Sequence, residues 1–281
     1  MPVFSVLIAN YNNGRYLQEA IDSVLKQSFK DWEIIIVDDG STDESNDIYK
    51  QFSSDDRIHI FYNGKNKGCA YTKHQCVLHA SGELCGFLDP DDILLPNAIQ
   101  ITVEKFLGSP ETVLTFSRHY LCDEKLEIKE ESRLLELKEG ESYFEHHDYR
   151  AEVFAGFRKE AYIQSGGLNT TYNRGVDADL YFRLEEQGKI GVINAFTYMY
   201  RRTSNSLVSN VEKMFYWNLI VRHDVCIRRG LPVDNYSLKD FHNYIEQSIT
   251  LRTSQNEQAL SSKAYKIGKM ILRPFSILKH R

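Results

Sequence analysis

Cysteine is sparse and unpaired in this sequence. There are five, Cys69, Cys76, Cys85, Cys122 and Cys226, an odd number with no C-x-x-C spacing, which argues against a disulfide framework and for reduced thiols in a cytosol-like compartment. No run approaches the roughly 18 consecutive apolar residues that a membrane span needs. The start, Met1-Pro2-Val3-Phe4-Ser5, has neither the basic region nor the apolar stretch of a signal peptide. Positive charge is also missing from the body of the chain. The net charge is −5, yet six Lys and Arg and no acid follow Glu257, which leaves −11 on the rest. An acidic body with a basic tail argues against nucleic acid as a partner, because a binder's basic residues should line the body. No internal repeat or low-complexity run occurs. With 281 residues the chain can bury a sizeable interior, as one large domain or a core with an appendage.

What is present is alternation. Phe4 to Ala9 reads as a buried strand, and Leu17, Ala20, Ile21, Val24 and Leu25 then form the stripe of an amphipathic helix. Glu33 to Val37 is a second strand, apolar on both faces as parallel strands are between two helix layers. Ser41-Thr42-Asp43-Glu44 has capping-box spacing for the next helix. Ile58 to Tyr62 and Leu84 to Leu88 continue as strands, with helices over Ala70 to Ala80 and Pro96 to Leu107. This alternation predicts an open α/β sheet with parallel strands. Beyond Gly108, antiparallel strands are expected at Thr112 to Cys122 and Leu126 to Lys129 around the turn Asp123-Glu124-Lys125. Leu134 to Arg150 is helix or loop, Val153 to Arg158 a short strand and Lys159 to Gln164 a helical turn stopped by Gly166-Gly167. A helix from Asp177 to about Gln187 has Gly188 as its C-cap. Ile190 to Ile193 and Thr197 to Arg201 follow as two strands, and then Val211 to Arg229, Leu238 to Arg252 and a basic segment from about Glu257 as helices.

Ligands of open α/β sheets sit outside the carboxyl ends of the strands. Here those ends carry Ala9-Asn10-Tyr11, Asp38-Asp39 and Asp89-Pro90-Asp91-Asp92, so three polar clusters fall on one rim. The last is the most telling, since an apolar run stops abruptly in three carboxylates within four residues. In an extended segment residues i and i+2 point the same way, so Asp89 and Asp91 can converge on one cation. All-oxygen ligands suit Mg²⁺ or Mn²⁺, completed by water and substrate phosphates. A solvated acidic turn capping the next helix is the alternative. Asp38-Asp39-Gly40 also fits a response-regulator pocket or a ribose clamp, but no G-x-G-x-x-G follows the first strand. Asp89-x-Asp91 as a phosphatase nucleophile is disfavoured because it follows the fourth strand and has Ile93 where a small polar residue belongs. A Lys near the start of a helix aimed at the rim, Lys73, can reach a diphosphate.

Taken in order, Phe4-Ser5-Val6-Leu7-Ile8-Ala9-Asn10-Tyr11-Asn12, Val37-Asp38-Asp39-Gly40-Ser41-Thr42-Asp43, Asn66-Lys67-Gly68, Leu88-Asp89-Pro90-Asp91-Asp92, Gly166-Gly167-Leu168 and Asp177-Ala178-Asp179-Leu180 closely resemble the family 2 glycosyltransferases. The resemblance covers about the first 205 residues. It implies the GT-A fold, an open mixed sheet with mainly parallel strands flanked by helices, here with a C-terminal helical extension. The expected boundaries are a GT-A domain over 1–207, divided into a nucleotide-binding half (1–108) and an acceptor half (109–207), and a helical region over 208–281. The resemblance also implies metal-dependent, inverting transfer of a sugar from a nucleoside diphosphate, most often UDP, to a hydroxyl of a glycan or lipid-linked acceptor. Cell-envelope polysaccharide synthesis is the expected setting.

Position by position, Ala9 and Tyr11 match the residues that hold the base, Asp39 the acidic partner of the pyrimidine, and Lys73 falls where the family often has a phosphate-facing Arg; Asn10, Asp38, Asn66 and Gly68 are expected beside them as nucleotide-binding residues. Asp89 matches the first carboxylate of the DXD motif, facing ribose or metal, Asp91 matches its metal-binding carboxylate for Mn²⁺ or Mg²⁺, and Asp177 matches the general base. The chain departs from the family at Val176, where a Glu commonly precedes the base, at Lys73-His74 in place of Arg-Asn, and at Thr203 in place of a His. A non-catalytic subunit that binds nucleotide sugars, or a sugar nucleotidyltransferase, is the alternative. Lys263, Lys266, Lys269 and Arg273 alternate with Tyr265, Ile267, Met270, Ile271, Leu272 and Phe275. This pattern suits either peripheral contact with an anionic membrane surface or packing on a protein surface. The expected location is cytoplasmic, with the inner membrane face as the alternative.

Overall fold

A computed structural model describes residues 2–133, 135, 137–138, 140–146, 153–203 and 211–233. The chain divides into two compact units, Met1–Ser209 and Asn210–Arg281. The first opens with strand β1 (Phe4–Asn10), helix α1 (Gly14–Leu25), β2 (Trp32–Asp38), α2 (Ser45–Phe52), β3 (Ile58–Tyr62), α3 (Cys69–His79) and β4 (Leu84–Phe87). It continues with β5 (Ile93–Leu94), α4 (Ala98–Leu107), β6 (Thr112–Cys122), β7 (Ile128–Glu131), α5 (Tyr143–His146), β8 (Gly156–Arg158), α6 (Lys159–Gln164), α7 (Val176–Glu185) and β9 (Lys189–Arg201). The described part of the second unit carries α8 (Val211–Arg229). The expected helix over Leu238 to Arg252 and the basic tail lie outside the described residues. Among the described residues no helix is long and apolar enough to cross a membrane.

Among the described residues the strands form one sheet in the order β3-β2-β1-β4-β8-β6-β9-β5, with β7 on β6. Strands β3, β2, β1 and β4 pair in parallel. The antiparallel β8 lies between β4 and β6, so β6 and its parallel partner β9 run the same way as β4. The strand order reverses beside β1, with β2 on one side and β4 on the other. A crevice opens at such a switch point because the two connections leave in opposite directions.

Helix layers explain the apolar runs. Phe4, Val6 and Ile8 join Ile34 and Ile36 in a core with Leu17, Ile21 and Val24 of α1 and Ile99, Val103 and Phe106 of α4, while α3 packs on β1 and β2. Each such side chain fully buried contributes about 1.5–3 kcal/mol. Glu33 is an exception to the strand read as apolar on both faces. Its carboxylate is buried and accepts hydrogen bonds from Ser5 Oγ at 2.6 Å, Ser81 N at 2.6 Å, Ser81 Oγ at 2.7 Å and Gly82 N at 3.2 Å.

Several local expectations are corrected. The two strands anticipated at 190–193 and 197–201 are one strand, β9. The register jumps from Ser117↔Ile193 to Arg118↔Phe196, so Asn194 and Ala195 bulge without ending the pairing. Gly188 caps no helix, because α7 ends with Glu186 as its C-cap. It permits a close approach instead, since a Cβ there would meet Val113 Cγ1 at 2.6 Å. The capping box does not form. Ser41 Oγ accepts from Asn12 N at 3.0 Å, whereas Asp43 accepts from Ser45 N at 3.1 Å and Gly14 N at 2.8 Å. Strand β7 starts later than expected because Leu126, at φ 63°, still belongs to the turn.

Candidate active site

At the carboxyl end of β1, Asn10 is wholly buried and its amide donates to Tyr49 Oη at 2.7 Å and Ser45 Oγ at 2.9 Å. Asp38, at the end of β2, accepts from Gly40 N at 2.9 Å and Ser41 N at 2.8 Å with one oxygen, and from Tyr49 Oη at 2.7 Å with the other. Both residues therefore shape the loop between β2 and α2, while Asn10 Oδ1 is buried with no hydrogen-bond partner among the described residues. Burial and the adjacent Asp38 raise the Tyr49 hydroxyl above its ordinary pKa, which keeps it a proton donor.

Asp39 is equally buried and holds the loop before α3. Its oxygens accept from Asn63 Nδ2 and Lys67 N, both at 2.8 Å, and from Gly68 N at 2.9 Å. Gly68 has φ +94°, a conformation a side chain would strain. Ala9 is half-buried, and Tyr11 and Asn66 stand exposed at the mouth.

After β4 the backbone turns. Asp92 N donates to the Asp89 carbonyl at 3.1 Å, so Pro90 and Asp91 occupy the middle of a β-turn, a place Pro favours through its fixed φ. The extended geometry expected for Asp89-x-Asp91 is thus corrected to a turn. Asp89 remains partly exposed, and Asp91, half-buried, makes no ion pair among the described residues. Burial and then the charge on Asp89 push the Asp91 carboxyl up to about 6. A divalent cation would relieve that crowding, and two carboxylates leave its other positions to phosphate oxygens and water. No cluster of three or more His, Cys, Asp or Glu among the described residues adds to this donor set.

The third carboxylate belongs elsewhere. Asp92 is buried and accepts from Tyr198 Oη at 2.8 Å and Arg201 N at 2.6 Å. Burial first, and the neighbouring Asp91 and Asp89 second, raise it well above the usual carboxylate range.

Helix α7 supplies the last carboxylate. Gly175, left-handed at φ 67°, lets the chain enter the helix, and Asp177 and Asp179 lie in the first turn, where the macrodipole favours negative charge. Asp179 is buried and pairs with Arg183 at 2.8 Å, whereas the Asp177 side chain is 45% exposed. Lys73, one turn into α3 and buried, brings the distant elements together. Its ammonium lies 2.9 Å from Asp177 Oδ1 and 3.3 Å from Asp89 Oδ1, over the Phe87 ring. Burial alone would lower the Lys73 pKa, but Asp177 and Asp89 outweigh it and hold it well above its ordinary value.

The structure thus joins Lys73, Asp89 and Asp177 by direct contacts, while Asp39 holds the loop before α3 and Asn10 and Asp38 hold the loop before α2. Sequence reasoning missed Asn63, Tyr49, Tyr198 and Arg201. Their partners are 24, 11, 106 and up to 182 residues away, and no local spacing announces such contacts.

The profile described as Glycosyl transferase family 2 matches residues 5–166, more than half of the chain. The chain belongs to this family. Among curated glycosyltransferases, chondroitin synthase of Pasteurella multocida is 29% identical over 255 residues, 88% of this chain but only 25% of the synthase. The glycosyltransferase GlyG of Streptococcus pneumoniae is 28% identical over 226 residues, 73% of each chain. Among solved structures, residues 1–349 of S. aureus TarS superpose with TM-score 0.72 at 14% identity, over 94% of this chain and 78% of that one. TarS is also known in complex with UDP-GlcNAc. Mannosyltransferase PcManGT of Pyrobaculum calidifontis, in complex with GDP-Man and Mn²⁺, superposes with TM-score 0.63 at 13% identity, over 99% and 80% of the two chains. At these identities the structural likeness is one of fold, and it establishes the GT-A architecture for this family 2 glycosyltransferase.

Proposed function

We propose that this family 2 chain moves a sugar, with inversion, from a nucleoside diphosphate donor, UDP-sugar in preference, to a hydroxyl of a glycan or lipid-linked acceptor in cell-envelope polysaccharide synthesis. The observation that carries the reading is the Lys73 bridge, which holds a carboxylate from the turn after β4 and one from the start of α7 against a single ammonium group. Asp177, more exposed than Asp89 and at a helix N-terminus, is the group that takes the acceptor hydroxyl's proton. A positioned base of this kind contributes about 10²–10⁴ in rate. Lys73 sits beside the place where a leaving diphosphate gathers charge and stays protonated through the reaction. Asp89 and Asp91 would hold the divalent ion, Mn²⁺ or Mg²⁺, which when bound supplies Lewis-acid neutralisation of the leaving group. Asp39, Ala9 and Tyr11 line the base and ribose side, with Asn66 and Gly68 on the loop above. Residues 109–207 form the acceptor half. The mannosyltransferase's Mn²⁺ and the TarS complex with UDP-GlcNAc support metal and nucleotide sugar without choosing among donors.

The test is nucleotide release from a panel of UDP- and GDP-sugars with Mn²⁺, in the wild type and in Asp177→Asn. Release in the wild type that falls by about 10²-fold or more in the variant, at unchanged donor affinity, is the expected outcome. Nucleotide binding with no turnover for any donor and acceptor would instead indicate a binding subunit.

A further inference from the structure

The turn carrying Asp89 and Asp91 is held by residues that touch neither phosphate nor sugar in the reading above. Strand β5 follows the turn at once and pairs antiparallel with β9, Ile93 opposite Met199 and Leu94 opposite Tyr198. That register brings residues 198–201 of β9 beneath the turn. Tyr198 Oη donates to Asp92 at 2.8 Å and accepts from Asp89 N at 3.2 Å. The Arg201 backbone N–H donates to the other Asp92 oxygen at 2.6 Å.

The Arg201 side chain, 3% exposed, then spreads over three elements. Its Nε donates to the Asp91 carbonyl at 2.6 Å, its Nη1 to the Glu124 carbonyl at 2.8 Å in the β6–β7 turn, and its Nη2 pairs with the Glu19 carboxylate on α1. The guanidinium also lies 4.5 Å from the centre of the Tyr16 ring. A planar fork with five donors suits this task, and a lysine ammonium would not reproduce it.

We propose that Arg201, acting with Tyr198 and Asp92, is the positioning unit that sets the Asp89–Asp91 turn in the shape required to bind a divalent cation. This rests on the metal role given to Asp89 and Asp91 under Proposed function. The physical reason is that two carboxylates in a four-residue turn repel each other, and the turn would open without restraints on its backbone. Arg201 grips the Asp91 carbonyl, Tyr198 grips the Asp89 amide, and Asp92 joins the two restraints. Among the described residues the Asp91 carboxylate itself makes no ion pair, which leaves it for the cation. Groups that orient metal ligands in this way typically contribute 10–100-fold to metal affinity, on the order of magnitude known for such partners.

The test measures Mn²⁺ binding directly, from the electron paramagnetic resonance signal of free Mn²⁺ titrated into protein with UDP, in the wild type, Tyr198→Phe, Arg201→Met and Arg201→Lys. Tyr198→Phe retains the aromatic ring, which stacks with Phe154, so it keeps the proposal testable if Arg201→Met fails to fold. UDP affinity without metal and the thermal midpoint are measured alongside. Mn²⁺ binding weakened roughly 10-fold or more in Tyr198→Phe and Arg201→Met, with partial recovery in Arg201→Lys and metal-free UDP affinity unchanged, supports the assignment. Wild-type Mn²⁺ affinity in Tyr198→Phe and in folded Arg201→Met or Arg201→Lys overturns it while leaving the metal reading intact. Loss of metal-free UDP affinity in step with Mn²⁺ affinity also overturns it, because the residues would then act on the whole site. Absence of Mn²⁺ binding in the wild type removes the metal reading, and this assignment falls with it.

Discussion

Replacing Lys73 with methionine separates a structural role from a functional one. Methionine retains most of the buried stem, so the change is chiefly the loss of one ammonium group together with its contact over the Phe87 ring. Breaking a fully buried ion pair costs about 3–5 kcal/mol, because the remaining charge is stranded. Here the stranded carboxylates are Asp89 and Asp177, with side chains 38% and 45% exposed, and solvent screens exposed pairs down to about 0–1 kcal/mol. The variant also no longer buries an ammonium ion, which is itself costly. The expected loss of stability is therefore small, about 1–2 kcal/mol, or a few degrees in Tm for a chain of this size. Turnover should fall far more, by about 10²-fold, equivalent to about 2.7 kcal/mol of transition-state stabilisation. Urea unfolding followed by fluorescence gives the first quantity, and nucleotide release under saturating donor gives the second. Destabilisation above about 4 kcal/mol with turnover per folded molecule unchanged would refute the reasoning, since Lys73 would then be a structural counter-ion.

Two further predictions concern the scaffold. Glu33→Gln should destabilise the protein by about 2–3 kcal/mol at pH 7, because an amide cannot accept all four hydrogen bonds that the buried carboxylate accepts. Burial raises the Glu33 pKa, but the bonds from Ser5, Ser81 and Gly82 together outweigh it and leave the group below the ordinary value of 4.5. The stabilisation is therefore present above pH 4.5 and lost as pH falls through the folded-state value. The gap between wild type and variant should shrink below pH 4.5, and equal gaps at pH 7 and at low pH would contradict this. Gly156→Ala should cost about 1–3 kcal/mol by overpacking, since the new Cβ would lie 2.6 Å from Thr102 Cγ2 and 2.8 Å from Thr115 Oγ1. Thermal unfolding of the variant checks this, and an unchanged midpoint would contradict it.

The parallel half of the sheet is legible in the sequence because apolar strands between two helix layers leave long Val, Ile and Leu runs, as at Val6 to Ile8 and Ile34 to Val37. The same logic put Asn10, Asp38, Asp39 and Asp89 at strand ends. Composition could not tell what each of them contacts in the fold. Asn10 Nδ2 and the Asp38 carboxylate bond to Tyr49, Ser45 and the loop amides, partners whose positions depend on how α2 docks. Strand β9 was legible only in pieces, because its bulge breaks the alternation that marks a strand.

By itself the sequence determined the layered α/β pattern, the family and the residue types on the rim, since these follow from hydrophobic periodicity and from motifs read along the chain. Only the tertiary structure decided that Lys73 joins Asp89 to Asp177 and that Asp92 turns inward to Tyr198 and Arg201. The Lys73–Asp177 contact and those of Asp92 span about a hundred residues of chain, and their strength depends on burial and on distances of a few ångströms, which are properties of the folded arrangement.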